Sequence, residues 1–131
     1  MTLPTDREPR PAKRRPRDYV VCSADEIAAG EHRIVCVRGH SIGIFNVAGH
    51  FYALHNRCPH RGAPLCEGRV CGTTVDTGDY TFAYGREGEI IRCVWHGWEF
   101  EIATGRALGD RRFAARSYEV TVREGRVIVH L

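Results

Sequence analysis

Two short segments, Cys58-Pro59-His60-Arg61-Gly62 and Cys93-Val94-Trp95-His96-Gly97-Trp98, each combine one cysteine with one histidine. The two side chains stand two residues apart in the first segment and three apart in the second, close enough for one turn of backbone to aim both at a common point. Together Cys58, His60, Cys93 and His96 offer two thiolates and two imidazoles to a single metal site. Such a set satisfies a tetrahedral zinc, or a [2Fe-2S] cluster in which two histidines replace two cysteines on one iron. The choice matters electrically. Each thiolate brings a negative charge and a neutral imidazole brings none, so a two-histidine cluster starts less negative than a four-cysteine one and accepts an electron more readily.

Read at full length, Cys58-Pro59-His60-Arg61-Gly62-Ala63-Pro64-Leu65 and Cys93-Val94-Trp95-His96-Gly97-Trp98-Glu99-Phe100 resemble the two cluster-binding loops of Rieske iron-sulfur proteins. The form is the one with His-Arg-Gly and His-Gly-Trp found in ring-hydroxylating oxygenase systems, and a matching pattern of strands and turns runs from Asp18 to the C-terminus. The resemblance implies one [2Fe-2S] cluster per chain, with Cys58 and Cys93 on the buried iron and His60 and His96 on the more exposed one. It implies an electron carrier rather than an enzyme, with no catalytic residues of its own. The leading role is a Rieske-type ferredoxin that passes single electrons from a flavin-dependent reductase to a terminal oxygenase. The alternative is a small subunit or separated Rieske module of an oxygenase complex, because the wording of the two boxes resembles oxygenase large subunits more than their ferredoxins. A complete oxygenase does not fit. It needs a further iron held by two histidines and a carboxylate, and the 38 residues after Cys93 contain only His96 and His130.

The resemblance also bears on the potential. High-potential relatives carry an extra cysteine in each loop, joined by a disulfide, and hydroxyl side chains that donate to the cluster sulfurs. Here Ala63 and Trp95 stand at the cysteine positions, and Trp98 and Phe100 at the serine and tyrosine positions. Fewer donors leave the reduced cluster less stabilised, which implies the low end of a family range of roughly −150 to +300 mV. Ligation by imidazole further implies proton uptake on reduction at alkaline pH. A structural zinc-binding module remains the third reading. Zinc sites usually bracket their ligands as Cys-x2-Cys or His-x3-His pairs, whereas both pairs here alternate cysteine with histidine.

Ligands on two loops need a rigid scaffold, and the sequence predicts an all-β one: an antiparallel β-sandwich or barrel base carrying a small cluster-binding subdomain, about residues 56–103. Short alternating or β-branched runs recur between glycine turns, at Tyr19–Cys22, Arg33–Val37, Ser41–Val47, His50–Leu54, Trp98–Ile102, Ser117–Arg123 and Arg126–His130. Two hairpins stand out, turning at Ala48-Gly49 and at Glu124-Gly125. One helical start is expected at Ser23, with Glu26 completing a capping box and Gly30 ending the helix. Within the loops, Gly62 and Gly97 permit tight turns, and Pro59 and Pro64 stiffen the first. Val94 stands where the resembled family commonly has proline. Trp95 and Trp98 are read as shielding for the cluster rather than as partner contacts.

The 32 residues between His60 and Cys93 hold extra structure beside the site. Tyr80–Tyr84 alternate aromatic with small residues, and Gly85-Arg86-Glu87-Gly88 reads as a turn into Ile90-Ile91-Arg92, which predicts a hairpin after Thr77-Gly78-Asp79. Its role is either framework or docking through Asp79 and Tyr80.

With 131 residues, 43% of them hydrophobic, the chain has room for one domain, taken as residues 18–131. Residues 1–18 hold six basic and three acidic side chains, so the whole formal charge of +3 lies there and the other 113 residues balance. Residues 1–17, rich in proline and arginine, are expected to be a disordered basic tail. The tail lacks the aromatic residues of a nucleic-acid binder, and no apolar stretch follows Arg14-Arg15 to make an export signal or membrane anchor. A cytoplasmic location is expected. Four cysteines remain outside the boxes. Cys22 and Cys36 read as small hydrophobes, and Cys66 and Cys71 as ordinary packing in preference to a bridge. His32, His40, His50, His55 and His130 read as surface or strand-edge residues.

Overall fold

A computed structural model describes residues 17–59, 61–76, 78, 82–95, 97–110 and 112–131, with backbone alone for Asp76 and Phe82. The chain alternates strands with turns, and three of its hairpins turn on a pair of left-handed residues whose second member is glycine. These are Arg38-Gly39 (φ 52° and 82°), Ala48-Gly49 (52° and 91°) and Glu124-Gly125 (53° and 76°). Both central residues need positive φ in this turn type, whose twist matches the strands it joins, and glycine meets that demand without strain. The turns connect β2 (His32–Val37) to β3 (His40–Val47), β3 to β4 (His50–His55), and β8 (Ser117–Arg123) to β9 (Arg126–His130).

With β1 (Asp18–Ser23), these strands form a six-stranded antiparallel sheet in the order β1-β9-β8-β4-β3-β2. The two edges curl toward each other, and Arg38 at the end of β2 donates to the Tyr19 hydroxyl on β1. The result is the nearly closed barrel base expected from the sequence. A second sheet of three antiparallel strands, β5 (Arg69–Asp76), β6 (Phe82–Arg92) and β7 (Glu99–Glu101), carries the site.

β3 and β4 are the wall between two cores. Successive strand residues face opposite ways, so Ile42, Ile44 and Ala53 join Val127 and Val129 inside the barrel. Phe45 and Leu54 face outward into a second apolar cluster with Cys58, Leu65, Ile91, Cys93 and Phe100. That double duty explains why residues 42–46 are all buried although the sheet has an outside. The second cluster also takes in Ala107 and Ala115, with Phe113 packed on it. The segment after Ile102 therefore belongs with the 56–103 subdomain as part of its core.

Four local expectations change. The helix expected from Ser23 to Gly30 is a single 3-10 turn, Ala24–Glu26. Glu26 does accept from the Ser23 amide, but Ile27 is already extended and buried in the barrel, which stops the helix there. Residues 85–88 are not a turn between strands, because β6 runs on through them. Cys71 pairs with Ile90 and Thr73 with Gly85, so Gly72 alone on β5 faces Arg86–Glu89 on β6, a bulge made by the left-handed Arg86 and Gly88. The hairpin is instead β5 with β6, and β5 was not foreseen. Cys36 lies on the outward face of β2 and is exposed. Arg17, counted with the tail, exchanges backbone hydrogen bonds with Leu131 and so extends the β1 edge. Residues 1–16, Thr77, Asp79, Tyr80 and Thr81 lie outside the described residues, and with them the tail's disorder and the Asp79 and Tyr80 docking reading.

Candidate metal centre

The two cysteine-histidine segments fold into loops with one hydrogen-bond plan. In loop 1 (residues 57–64), Cys58 donates to the Ala63 carbonyl and Gly62 donates back to Cys58, at 2.7 Å each. In loop 2 (residues 93–98), Cys93 donates to Trp98 at 2.8 Å and Gly97 donates back to Cys93 at 3.1 Å. The spacings are identical, five residues forward and four back. Each loop closes on a left-handed glycine, with φ of 78° at Gly62 and 70° at Gly97. A side chain there would be strained, and at Gly62 it would also press on the Arg57 guanidinium.

Both cysteines point inward. Cys58 is 1% and Cys93 3% exposed, and they share one apolar cluster between the sheets. None of the six cysteines is in a disulfide, and Cys66 and Cys71 pack separately as expected. His60 and His96, the other two candidate ligands, lie outside the described residues. Two buried sulfurs on matched loops, each loop carrying an imidazole in its sequence, fit the donor set of a two-histidine [2Fe-2S] cluster.

The loops are braced from behind by residues that sequence reasoning did not assign. After loop 1 comes a 3-10 turn, Leu65–Glu67, whose Cys66 is buried. The Cys66 amide donates to Asn56 Oδ1 at 2.7 Å, and Asn56 Nδ2 donates to Ser41 Oγ at 3.0 Å. The Cys66 carbonyl takes a 2.7 Å bond from His32 Nε2. A carbonyl can only accept, so Nε2 carries the proton. His32 also stacks on Phe45 at 4.9 Å. It is thus a half-buried clamp rather than the surface or edge residue its place in the sequence indicated. Thirty-four residues separate His32 from Cys66, and no short-range pattern reveals such a pair. Burial pushes the Cys66 thiol up to about 12.

Loop 2 is held at its base by the register partners Arg92 and Glu99, which form an ion pair at 2.6 Å. Burial works against ionisation of Glu99, but bonds from Arg92 and Thr73 outweigh it and hold the carboxyl below the usual range. Trp98 packs on the core, edge-on to Phe113 at 5.2 Å, and Phe100 is fully buried beneath it. Trp98 thus covers the apolar cluster that contains Cys58 and Cys93. Trp95 is 57% exposed. The bases of the two loops touch at Gly68, where an added Cβ would collide with the Arg92 carbonyl oxygen.

This fold and this pair of loops define an iron-sulfur protein of the two-histidine class. The Rieske [2Fe-2S] domain profile matches residues 17–119, and the chain belongs to that family. It is an electron carrier containing a [2Fe-2S] cluster, which sets aside the zinc reading. The chain is 32% identical over 112 residues to the ferredoxin component of the p-cumate 2,3-dioxygenase system of Pseudomonas putida, covering 83% of this chain and 81% of that protein. It is also 32% identical over 103 residues to apoptosis-inducing factor 3 of Mus musculus, but there spans only 14% of the relative's length. Among solved structures it resembles a chain from the complex of reduced oxygenase and oxidized ferredoxin in carbazole 1,9a-dioxygenase. The TM-score is 0.67 and the identity 29%, covering 86% of this chain and 92% of that one. Among the described residues no helix is long and apolar enough to cross a membrane.

Proposed function

We infer that Cys58, His60, Cys93 and His96 hold the cluster, and that the chain passes single electrons from a flavin-dependent reductase to a terminal oxygenase in the cytoplasm. The observation that carries this reading is the common plan of the two loops, which buries Cys58 and Cys93 in one apolar cluster. When bound, the cluster supplies a reversible one-electron couple. The chain's own residues do the rest. Gly62 and Gly97 close the loops, while His32 and Asn56 fix the turn behind loop 1 and the Arg92–Glu99 pair fixes the base of loop 2. Ligands held this way shift little between redox states, which keeps electron transfer fast. Phe100 and Trp98 exclude water from the protein side and bring no hydroxyl to it.

The test is a redox titration of the purified holoprotein. The expected result is a single one-electron wave toward the low end of roughly −150 to +300 mV. A potential near the top of that range would contradict the reading that Trp98 and Phe100, which bring no hydroxyl, leave the reduced cluster less stabilised. A small subunit or separated Rieske module of an oxygenase complex is the second reading, and the match to only 14% of apoptosis-inducing factor 3 is a case of a similar segment within a longer protein. Co-purification with a reductase and an oxygenase as separate chains would exclude it.

A further inference from the structure

The outer surface of the two loops combines an apolar knob with positive charge that nothing on the described surface neutralises. Val94 and Trp95, at the turn of loop 2, are 50% and 57% exposed. Farther along the same loop, Gly97 and Trp98 line one side of a groove of about 450 Å³ whose other side is Leu108, itself 38% exposed. Exposed aromatic and aliphatic side chains gathered beside a groove mark a contact surface more often than chance scatter does.

The charges on this surface are unequal. The two carboxylates beside the groove, Glu99 and Asp110, are taken up by Arg92 and Arg112 at 2.6 and 2.8 Å. On loop 1, Arg57 and Arg61 are exposed, and neither has a carboxylate partner among the described residues. Glu67, on the 3-10 turn that follows, pairs with neither. Residues 19–131 are balanced in formal charge and residues 1–18 carry the chain's excess of +3, so the unpaired arginines of loop 1 add to a chain that is positive as a whole. Unpaired charge beside an apolar contact turns an approaching partner of opposite sign before contact.

We propose that the exposed Val94, Trp95 and Leu108, together with the exposed Arg57 and Arg61 of loop 1, form a docking face for a redox protein whose own contact surface carries carboxylates around an apolar centre. The inference rests on the proposed electron-carrier function and specifies its partner. Aromatic and arginine side chains are the residue types that most often dominate binding energy at interfaces. Here Trp95 supplies the apolar anchor and the arginines supply orientation. The loop that carries Trp95 also carries the ligand candidates Cys93 and His96, so a partner seated on it lies beside the electron it is to receive.

Two haem proteins of opposite charge serve as probes, acidic cytochrome b5 and basic cytochrome c, each mixed in stopped flow with the reduced holoprotein at low and at high salt. The sign of the salt dependence is read rather than the absolute rate, because it does not depend on driving force. The expected rate with cytochrome b5 falls about tenfold as salt rises, and the rate with cytochrome c rises. The double substitution Arg57→Glu and Arg61→Glu reverses both slopes, and the milder Arg57→Gln with Arg61→Gln flattens them. Trp95→Ala lowers the rate with cytochrome b5 severalfold at either salt. Opposite slopes in the loaded wild-type protein, or slopes that neither arginine pair moves, would overturn the docking face while leaving the carrier function standing. A wild-type chain that takes up no iron would bring down both.

Discussion

Six cysteines of one chain have quite different chemistry here, and position explains the difference. Cys58 and Cys93 sit at corresponding points of two matched loops. Cys36 faces solvent from the outer side of β2, and Cys66 is sealed under loop 1 with its thiol pushed up to about 12 by burial. Alkylation follows the thiolate and its accessibility. In the folded holoprotein iodoacetamide is expected to label Cys36 first and Cys66 only on unfolding, as mass spectrometry of the peptides would show. Equal labelling rates would refute the placement. The same burial has a sign in stability. The Cys66 thiol is kept protonated above its usual value of 9.0, so its contribution is complete below about pH 9 and is lost as pH climbs toward about 12. Each unit in that window costs about 1.4 kcal/mol. Unfolding free energies at about pH 8 and about pH 10 should therefore diverge more in the wild type than in Cys66→Ala, and parallel declines would contradict it.

At the scale of elements, the site depends on where strands touch. β3 and β4 each present one face to the barrel and one to the loop cluster, so the loops rest on a sheet that the barrel already holds rigid. The narrowest contact is Gly68 against the Arg92 carbonyl, which fixes the base of loop 1 against the base of loop 2. Backbone cannot yield as a side chain does. Gly68→Ala is expected to cost about 1–3 kcal/mol and to lower iron content, measured by denaturant unfolding and metal analysis. Gly109→Ala is the control, since a Cβ there meets nothing within 4 Å, and its expected change is within about 0.5 kcal/mol. Similar losses in the two variants would show that Gly68 has no special place.

Across the whole molecule, what the sequence revealed was whatever local pattern determines. The hairpins at Ala48-Gly49 and Glu124-Gly125 were legible because glycine after a left-handed residue is itself the turn. The barrel strands were legible from alternation, and the loops from the pairing of ligand types at short spacing. β5 was missed because Arg69-Val70-Cys71-Gly72-Thr73-Thr74 carries a glycine at its bulge and no clean alternation. The turn assigned to residues 85–88 failed because the same glycine-rich wording serves a bulge when a partner strand runs alongside. The His32 clamp was invisible for a different reason, as a contact across thirty-four residues is set by the fold and not by neighbours in the chain.

The central claim is that Cys58 and Cys93 share a cluster with two imidazoles, His60 and His96. It is tested most directly by electron-nuclear double resonance on the dithionite-reduced holoprotein. The account predicts strong couplings from two nitrogen nuclei bound to iron, with the couplings changed when His60→Ser or His96→Ser is made. A reduced protein whose spectrum shows iron and sulfur but no bound nitrogen would contradict it.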